Sequence, residues 1–453
     1  MGGALPGRQH RDHGGAAGHG VRPRARHGLN GQEALNGNGA ARAAEDAARH
    51  SYGKLVACLA AQTRDLAEAE DALAEAFALA LKAWPQTGVP ASPEAWLLTA
   101  ARRRALDAAR RGRTRKDAGP RLNLMIDELQ AGERAERPIP DDRLRLIFTC
   151  AHPAIEQAAR APLMLQAVLG LDAADIASAF LVSPAAMGQR LVRAKRKIRD
   201  AGVPFAEPDL ETAPERLEAV LEAVYAVFTQ GWSDPAGADP KSRGLVDEGL
   251  FLGRLIAELL PAEPEPKGLL ALMLYAHARR RARRGDDGRF VPLDAQDAAL
   301  WDAPLIDEAE ALMMAALPFG RIGRFQIEAA IQSAHVHRRL GAPTDWRAVV
   351  ALYDSLVALT GSVVAALNRA LALSRLEGAE AGLRALDPIR EDPRLLDYQP
   401  YWAARADLCD RAGRRAEAEI AYVRAIGLES DPAVRASLQD RLGLLAVARE
   451  PRR

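Results

Sequence analysis

From Ala47 to about residue 445 the apolar residues recur at three- and four-residue intervals almost without a break, the period that gathers them on one face of an α-helix. Ala, Leu, Glu and Arg fill the intervening positions, and no stretch alternates Val, Ile and Thr with polar residues as a half-buried strand would. The pattern predicts an all-α fold. Clusters of Pro, Gly and charge interrupt it at RGRTRKDAGP (111–120), GERAERPIPDD (132–142), AGVPFAEPDLETAPE (201–215) and LPAEPEPKG (260–268), leaving helical blocks near 47–112, 141–200 and 215–445. Residues 1–46 are rich in Gly, Ala, Arg and His and hold almost no bulky apolar side chain; they are expected to be disordered, because they have too little surface to bury against the entropy of ordering.

Two of the helices read from this pattern carry unusual charge. LVSPAAMGQRLVRAKRKIR (181–199) holds six cations and no carboxylate. Ser183 suits an N-cap and Pro184 the first helical position. On a helical projection Met187, Leu191, Ala194 and Ile198 form a narrow apolar stripe, while Ala186, Gln189, Arg193, Arg196 and Lys197 point away from it. LDAADIASAF (171–180) precedes it as a short helix joined by Leu181, Val182 and Ser183, the spacing of a helix-turn-helix. In such a pair the second helix enters the major groove: Gln189 suits adenine edges, Arg190 and Arg193 suit guanine or phosphate, and the small Ala185 and Ala186 permit close approach. Gly188 costs helix stability and is consistent with such an approach.

The second, SPEAWLLTAARRRALDAARRGRTRK (92–116), is expected to bury Leu97, Leu98, Ala101, Ala105 and Ala108. Trp96, Arg103, Asp107 and Arg110, with Arg111 following, lie on the other side, where a tryptophan among arginines suits stacking on unpaired bases. Upstream, TRDLAEAEDALAEAFALALKAW (63–84) is an acidic amphipathic helix better matched to a protein than to DNA.

Near the C-terminus, Trp402, Ala406, Gly413, Ala418, Tyr422 and Ala425 occupy the positions of a tetratricopeptide helix pair, and a looser copy runs through 363–389 with Gly378 at its turn. Composition adds constraints. Formal net charge is +1 in 453 residues, so affinity for a polyanion must come from the local basic helices. Cys58, Cys150 and Cys409 are widely spaced and odd in number, which fits a reducing compartment rather than a disulfide framework. No run is long and apolar enough to span a bilayer, so no membrane contact and a cytoplasmic location are expected. No metal-binding, cofactor-binding or catalytic motif is visible, and the chain is not expected to be an enzyme.

DLAEAEDALAEAF, WLLTAARRRALDAARR and DAADIASAFLVSPAAMGQRLVRAKRKIR, in that order, resemble RNA polymerase sigma factors of the extracytoplasmic-function group in the sigma-70 family. FTQGW (228–232), GRFQIEAAIQSAHV (323–336) and the repeats resemble the long C-terminal extension of one of its subgroups. The resemblance implies region 2 at 47–116, a linker at 117–140, region 4 at 141–203, a helical extension at 204–360, tetratricopeptide-like repeats at 361–445 and a tail at 446–453. It also implies partners: core RNA polymerase, docked through Asp65, Glu68, Asp71, Glu75 and Phe77, and promoter DNA. The −10 element would be met by Trp96, Arg103, Asp107, Arg110 and Arg111, and the −35 element by Ser183, Ala185, Ala186, Gln189, Arg190, Arg193 and Lys197. A protein or peptide ligand is expected on the repeats, which would act as a regulatory module. Arg103, Ala74, Ala186 and Gly188 depart from the common family pattern, so base preference does not carry over.

Overall fold

The computed structural model describes residues 29–112, 141–180, 182–211, 213–232 and 240–447. Among these the protein is all-α, the one extended pairing being an isolated bridge between Arg284 and Phe290. The predicted linker at 117–140 lies outside the described residues, as does 1–28 of the segment expected to be disordered.

The N-terminal body is three helices, α1 (Leu29–Thr63), α2 (Leu66–Thr87) and α3 (Pro93–Gly112). The expectation of disorder does not hold for 29–46, because α1 begins at Leu29. Ala40, Ala44 and Ala47 are buried in the core. Small residues at helical spacing let a helix lie close to its neighbours without bulky side chains, which a count of large apolar residues overlooks. Between α1 and α2 the chain turns sharply through Arg64, held at φ 57, a left-handed conformation that costs a non-glycine residue roughly 1–2 kcal/mol. On α3 the buried face is Leu97, Leu98, Ala101, Ala105 and Leu106. Ala108, expected there, is exposed although it stays in phase with Leu97.

The second body comprises α4 (Arg143–Cys150), α5 (Gln157–Leu169), α6 (Ala173–Ala179) and α7 (Pro184–Asp200). It is not strung loosely after the first. A Cβ on Gly53 of α1 would lie 2.3 Å from the Val168 carbonyl oxygen of α5, and Gly170, at φ +74, presses its backbone against the Tyr52 ring. The extension continues the same core through α8 (Pro214–Trp232), α9 (Pro240–Leu259) and α10 (Pro264–Ala278). Helix α8 packs on α4 and α5, α9 packs on α6, and Arg216 donates to the Phe148 carbonyl at 3.0 Å.

Helix α10 is buried on every side from Lys267 to Tyr275, as an all-round apolar helix requires. Around it lie α11 (Ala303–Ala316) and α12 (Arg324–Val336). The Glu265 carboxylate accepts from the Phe325 and Gln326 amides at 3.0 and 3.1 Å, satisfying two orphan donors at the start of α12. Beyond come α13 (Trp346–Thr360), α14 (Val363–Glu377), α15 (Ala379–Leu386), α16 (Gln399–Arg411), α17 (Arg415–Leu428) and α18 (Pro432–Val447), each packed on its successor. Glycines with positive φ, Gly378 at 95 and Gly413 at 76, turn α14 into α15 and α16 into α17. Ala406, Ala418, Tyr422 and Ala425 are buried between the helices of this second core, while Trp402 is partly exposed and donates to the Leu396 carbonyl at 3.0 Å. Arg284 pairs with Asp431 at the start of α18 and so ties the extension to the repeats.

His335 on α12 lies edge-on to Trp346 at 5.6 Å. Burial, reinforced by Arg279 and Arg338 against an opposing Asp294, pushes its pKa down to about 4. The unfolded chain therefore binds a proton here between about pH 6.5 and 4 that the folded chain does not, and this stabilisation, complete above pH 6.5, is lost as the pH falls. Thermal unfolding should show stability falling by up to ~1.4 kcal/mol per pH unit in that window, with a shallower slope for His335→Gln. For Gly53→Ala, the clash with Val168 should cost roughly 1–3 kcal/mol and outweigh the ~1 kcal/mol gained in helix propensity, giving a net loss in urea unfolding.

Candidate nucleic-acid and polymerase interface

Helix α7 starts where its sequence says it should. The Ser183 hydroxyl accepts from the Ala186 amide at 3.2 Å, and Pro184 opens the first turn, where its missing N–H leaves nothing unsatisfied. Met187, Leu191, Ala194 and Ile198 are buried. Ser183, Ala185, Ala186, Gln189, Arg193 and Lys197 are all exposed and Arg190 is half-buried, so the residues expected to read DNA share the outward side. Among the described residues Arg190, Arg193 and Lys197 make no ion pair.

Val192 belongs to the same face and was missed. It is 66% exposed and, with Ala185, Gly188, Gln189 and Arg193, lines a shallow open depression. Its helical phase gave the signal: it lies opposite the buried stripe, where an apolar side chain gains nothing from the fold. Valine there offers a surface for a thymine methyl group. No atom lies within 4 Å of a Cβ placed on Gly188, so this glycine answers no packing demand inside the protein.

On α3, Arg103 and Asp107 are exposed. Trp96 is not the free platform expected: it is half-buried and meets Trp84 edge-on at 5.4 Å, because the core of α2 offers its indole more contact than water does. Arg104 pairs with Glu75 at 3.5 Å. The side chains of Arg110 and Arg111 lie outside the described residues.

The five residues expected to meet polymerase divide. Asp71 and Glu75 face outward on α2 with Ala74, Ala78 and Leu81, and Leu81, 52% exposed, was not anticipated. An acidic stripe carrying one exposed leucine suits a protein surface better than DNA. Glu68 is half-buried, and Phe77 turns toward the core. Asp65 is the N-cap of α2, accepting from the Ala67 amide at 2.9 Å.

Asp65 also receives Arg199 of α7 at 3.4 Å. One helical turn away, Lys195 of α7 pairs with Glu70 of α2, a residue only 9% exposed. Burial holds the Glu70 carboxyl above the usual carboxylate range although Lys195 pulls the other way. The same carboxylate, after burial itself, raises the Tyr52 phenol and the Cys150 thiol, and Cys150 is a free thiol. A polar junction thus joins α1, α2, α4 and α7.

An outward basic helix, on which Arg190 and Arg193 make no ion pair among the described residues, thus lies beside a three-helix body with an acidic outer stripe, a distribution of charge suited to contact with DNA and with protein. Residues 48–115 match sigma-70 region 2, and residues 216–317 match a family of unknown function (DUF6596). The chain is 42% identical over 388 residues to an uncharacterized protein of Rhizobium meliloti (strain 1021), covering 84% of this chain and 91% of that protein. No solved structure matches. The chain belongs to one family with that Rhizobium meliloti protein, and its residues 48–115 carry a sigma-70 region 2 domain, which supports a sigma factor role and implies binding to core RNA polymerase and promoter DNA. No helix among the described residues is long and apolar enough to cross a membrane.

Because the space around Gly188 is open, Gly188→Ala should raise stability by about 0.5–1 kcal/mol in urea unfolding, opposite in sign to the substitution at Gly53.

Proposed function

We propose that this chain is a sigma factor of the extracytoplasmic-function type, directing core polymerase to promoters with −35 and −10 elements. The observation that carries the reading is the outward face of α7, capped, small at Ala185 and Ala186 and charged through unpaired Arg190, Arg193 and Lys197, in the same chain as a sigma-70 region 2 domain. In this reading α6 and α7 are the helix-turn-helix of region 4. Gln189, Arg190, Arg193 and Val192 meet base edges in the −35 major groove, and Lys197 and Arg196 supply salt-sensitive phosphate affinity.

Region 2 meets polymerase through Asp71, Glu75 and Leu81 of α2. It captures the −10 strand with Arg103 and its neighbours, Trp96 offering one ring edge rather than both faces. Opening is driven by binding the unstacked single strand, so the chain needs no catalytic group of its own. A cytoplasmic location follows from the partner.

The C-terminal helices act as a regulatory module in this proposal, α14 to α17 being two tetratricopeptide-like hairpins. A cleft of about 1270 Å³ between the extension and these repeats supports a protein or peptide ligand. Tyr225, Tyr353, Leu356 and Tyr398 supply its apolar surface, and Glu222 and Arg324 its charge.

Run-off transcription with purified core polymerase and a genomic promoter library tests the reading. A promoter-specific product is expected, and Arg193→Ala should reduce it by about tenfold, the ~1–3 kcal/mol of one base contact. Absence of any promoter-specific product, or failure to co-purify with core polymerase, would refute it in favour of a regulator that binds DNA alone.

A further inference from the structure

The cleft between the extension and the repeats has the dimensions of a helix. One wall is α8 from Pro214 to Tyr225, which at 1.5 Å per residue is about 16.5 Å long. The other wall is α13, with Tyr353, Leu356 and Leu359. Helix α12 lies between them: it packs on α13 and meets α8 where Phe325 stands edge-on to Tyr225 at 5.8 Å. A volume of about 1270 Å³ spread along that wall leaves a cross-section of roughly 77 Å², a circle about 10 Å across, which is the width of an α-helix with its side chains. A drug-sized ligand would leave part of it empty, since sites for those run to about 300–1,000 Å³. An extended peptide would find no edge to pair with, because the walls are helices whose backbone groups are already bonded, whereas a helix brings its own backbone bonds with it.

The lining selects the chemistry of that helix. Ile322, 73% exposed, lines the cleft together with the exposed Leu359 and Val364. These apolar side chains gain nothing from the fold and would gain from a covering partner. Charge sets the sign. Five carboxylates and three guanidiniums line the cleft, but all three arginines are engaged: Arg321 with Glu263, Arg324 with Glu328 at 2.8 Å and Arg394 with Asp392. Glu265 is taken by the amides that open α12. Two carboxylates remain. Glu218 is exposed and makes no ion pair among the described residues, and Glu222 reaches only Arg324, at 3.7 Å. They stand one turn apart on α8 and call for cations at the same spacing on a helix laid beside it.

Resting on the reading of this cleft as a ligand site, we infer that it takes a basic amphipathic helix of another protein, about three turns long, as helix-in-groove partners do. Apolar residues at i, i+3 or i+4, and i+7 cover Tyr353, Leu356 and Leu359, and Ile322 at the cleft mouth. Lys or Arg at i and i+4 on the flank of the same helix pairs with Glu218 and Glu222. The three tyrosines Tyr225, Tyr353 and Tyr398 give the site rigid, wide contact surfaces of the kind that anchor such partners.

A phage-displayed library of random peptides of about 14 residues, long enough to hold a short helix once bound, provides the probe when selected on the full-length chain. Enriched sequences should share the apolar spacing and a Lys or Arg pair four residues apart. One enriched peptide, labelled with fluorescein, is then titrated by anisotropy. Glu218→Lys and Ile322→Asp, both at exposed positions, should each weaken binding by about tenfold. Reversing the matching peptide lysine to glutamate should weaken binding to the native chain and restore it on Glu218→Lys, which separates a charge contact from a damaged fold. A proline in the middle of the peptide should abolish binding, since it breaks the helix.

Enriched peptides that lack the pattern, or tolerate the central proline, yet are weakened by Ile322→Asp would overturn the basic helix and leave the cleft a ligand site. No enrichment, or binding indifferent to both substitutions in the chain, would take down the ligand-site reading as well. A free chain that sediments as a dimer and falls to a monomer on Ile322→Asp would assign the cleft to a second copy of the chain and overturn the proposal. None of these outcomes touches promoter-specific transcription, which tests the sigma-factor reading by itself.

Discussion

At Gly53 the backbone of α1 comes so close to the Val168 carbonyl of α5 that no side chain fits between them, and Gly170 admits the Tyr52 ring beside it. This approach allows the first two helical bodies to share one core. Once α1 and α5 are in contact, α7 is carried against α2, and Lys195 and Glu70 are both largely removed from water. A buried ion pair contributes little net stability, since desolvation offsets most of the Coulomb attraction, yet either member left alone is costly. The junction therefore specifies which surfaces meet more than it strengthens the fold.

The extension is part of that core. One cluster of buried residues includes side chains from Ala40 to Val336, crossing the boundaries expected between region 2, region 4 and the helices that follow. Helix α8 covers α4 and α5, and α9 covers α6, so the segment matching the family of unknown function packs directly on the second helical body. A regulatory signal received in the cleft between α8, α12 and the repeats would have a packed route to α6 rather than a flexible tether. The repeats themselves form a second core, joined to the first by Arg284–Asp431 and by Arg375–Asp294.

Much of the site was legible because it is local. Ser183, Pro184 and the stripe Met187, Leu191, Ala194 and Ile198 are set by a cap, a fixed φ and a 3.6-residue period, none of which needs a distant partner. Val192 was legible by the same phase, being an apolar side chain set away from the buried stripe and 66% exposed. Trp96 was misjudged for the opposite reason: its place opposite Leu97 and Leu98 on the projection is correct, but Trp84, twelve residues away on another helix, covers part of it.

The sequence by itself determined the all-α class, most helix limits, the cationic outward face of α7 and the hairpin turns at Gly378 and Gly413, because periodicity, capping and glycine's tolerance of positive φ act within a few residues. Only the tertiary structure decided that α1 extends back to Leu29, that the bodies share one core, that Asp65 is taken by Arg199, and that Lys195 serves the junction with α2 rather than the outward face of α7. These depend on contacts across more than a hundred positions of chain, where the energy of a pair follows from burial and geometry. Neither is written in the spacing of residues along one helix.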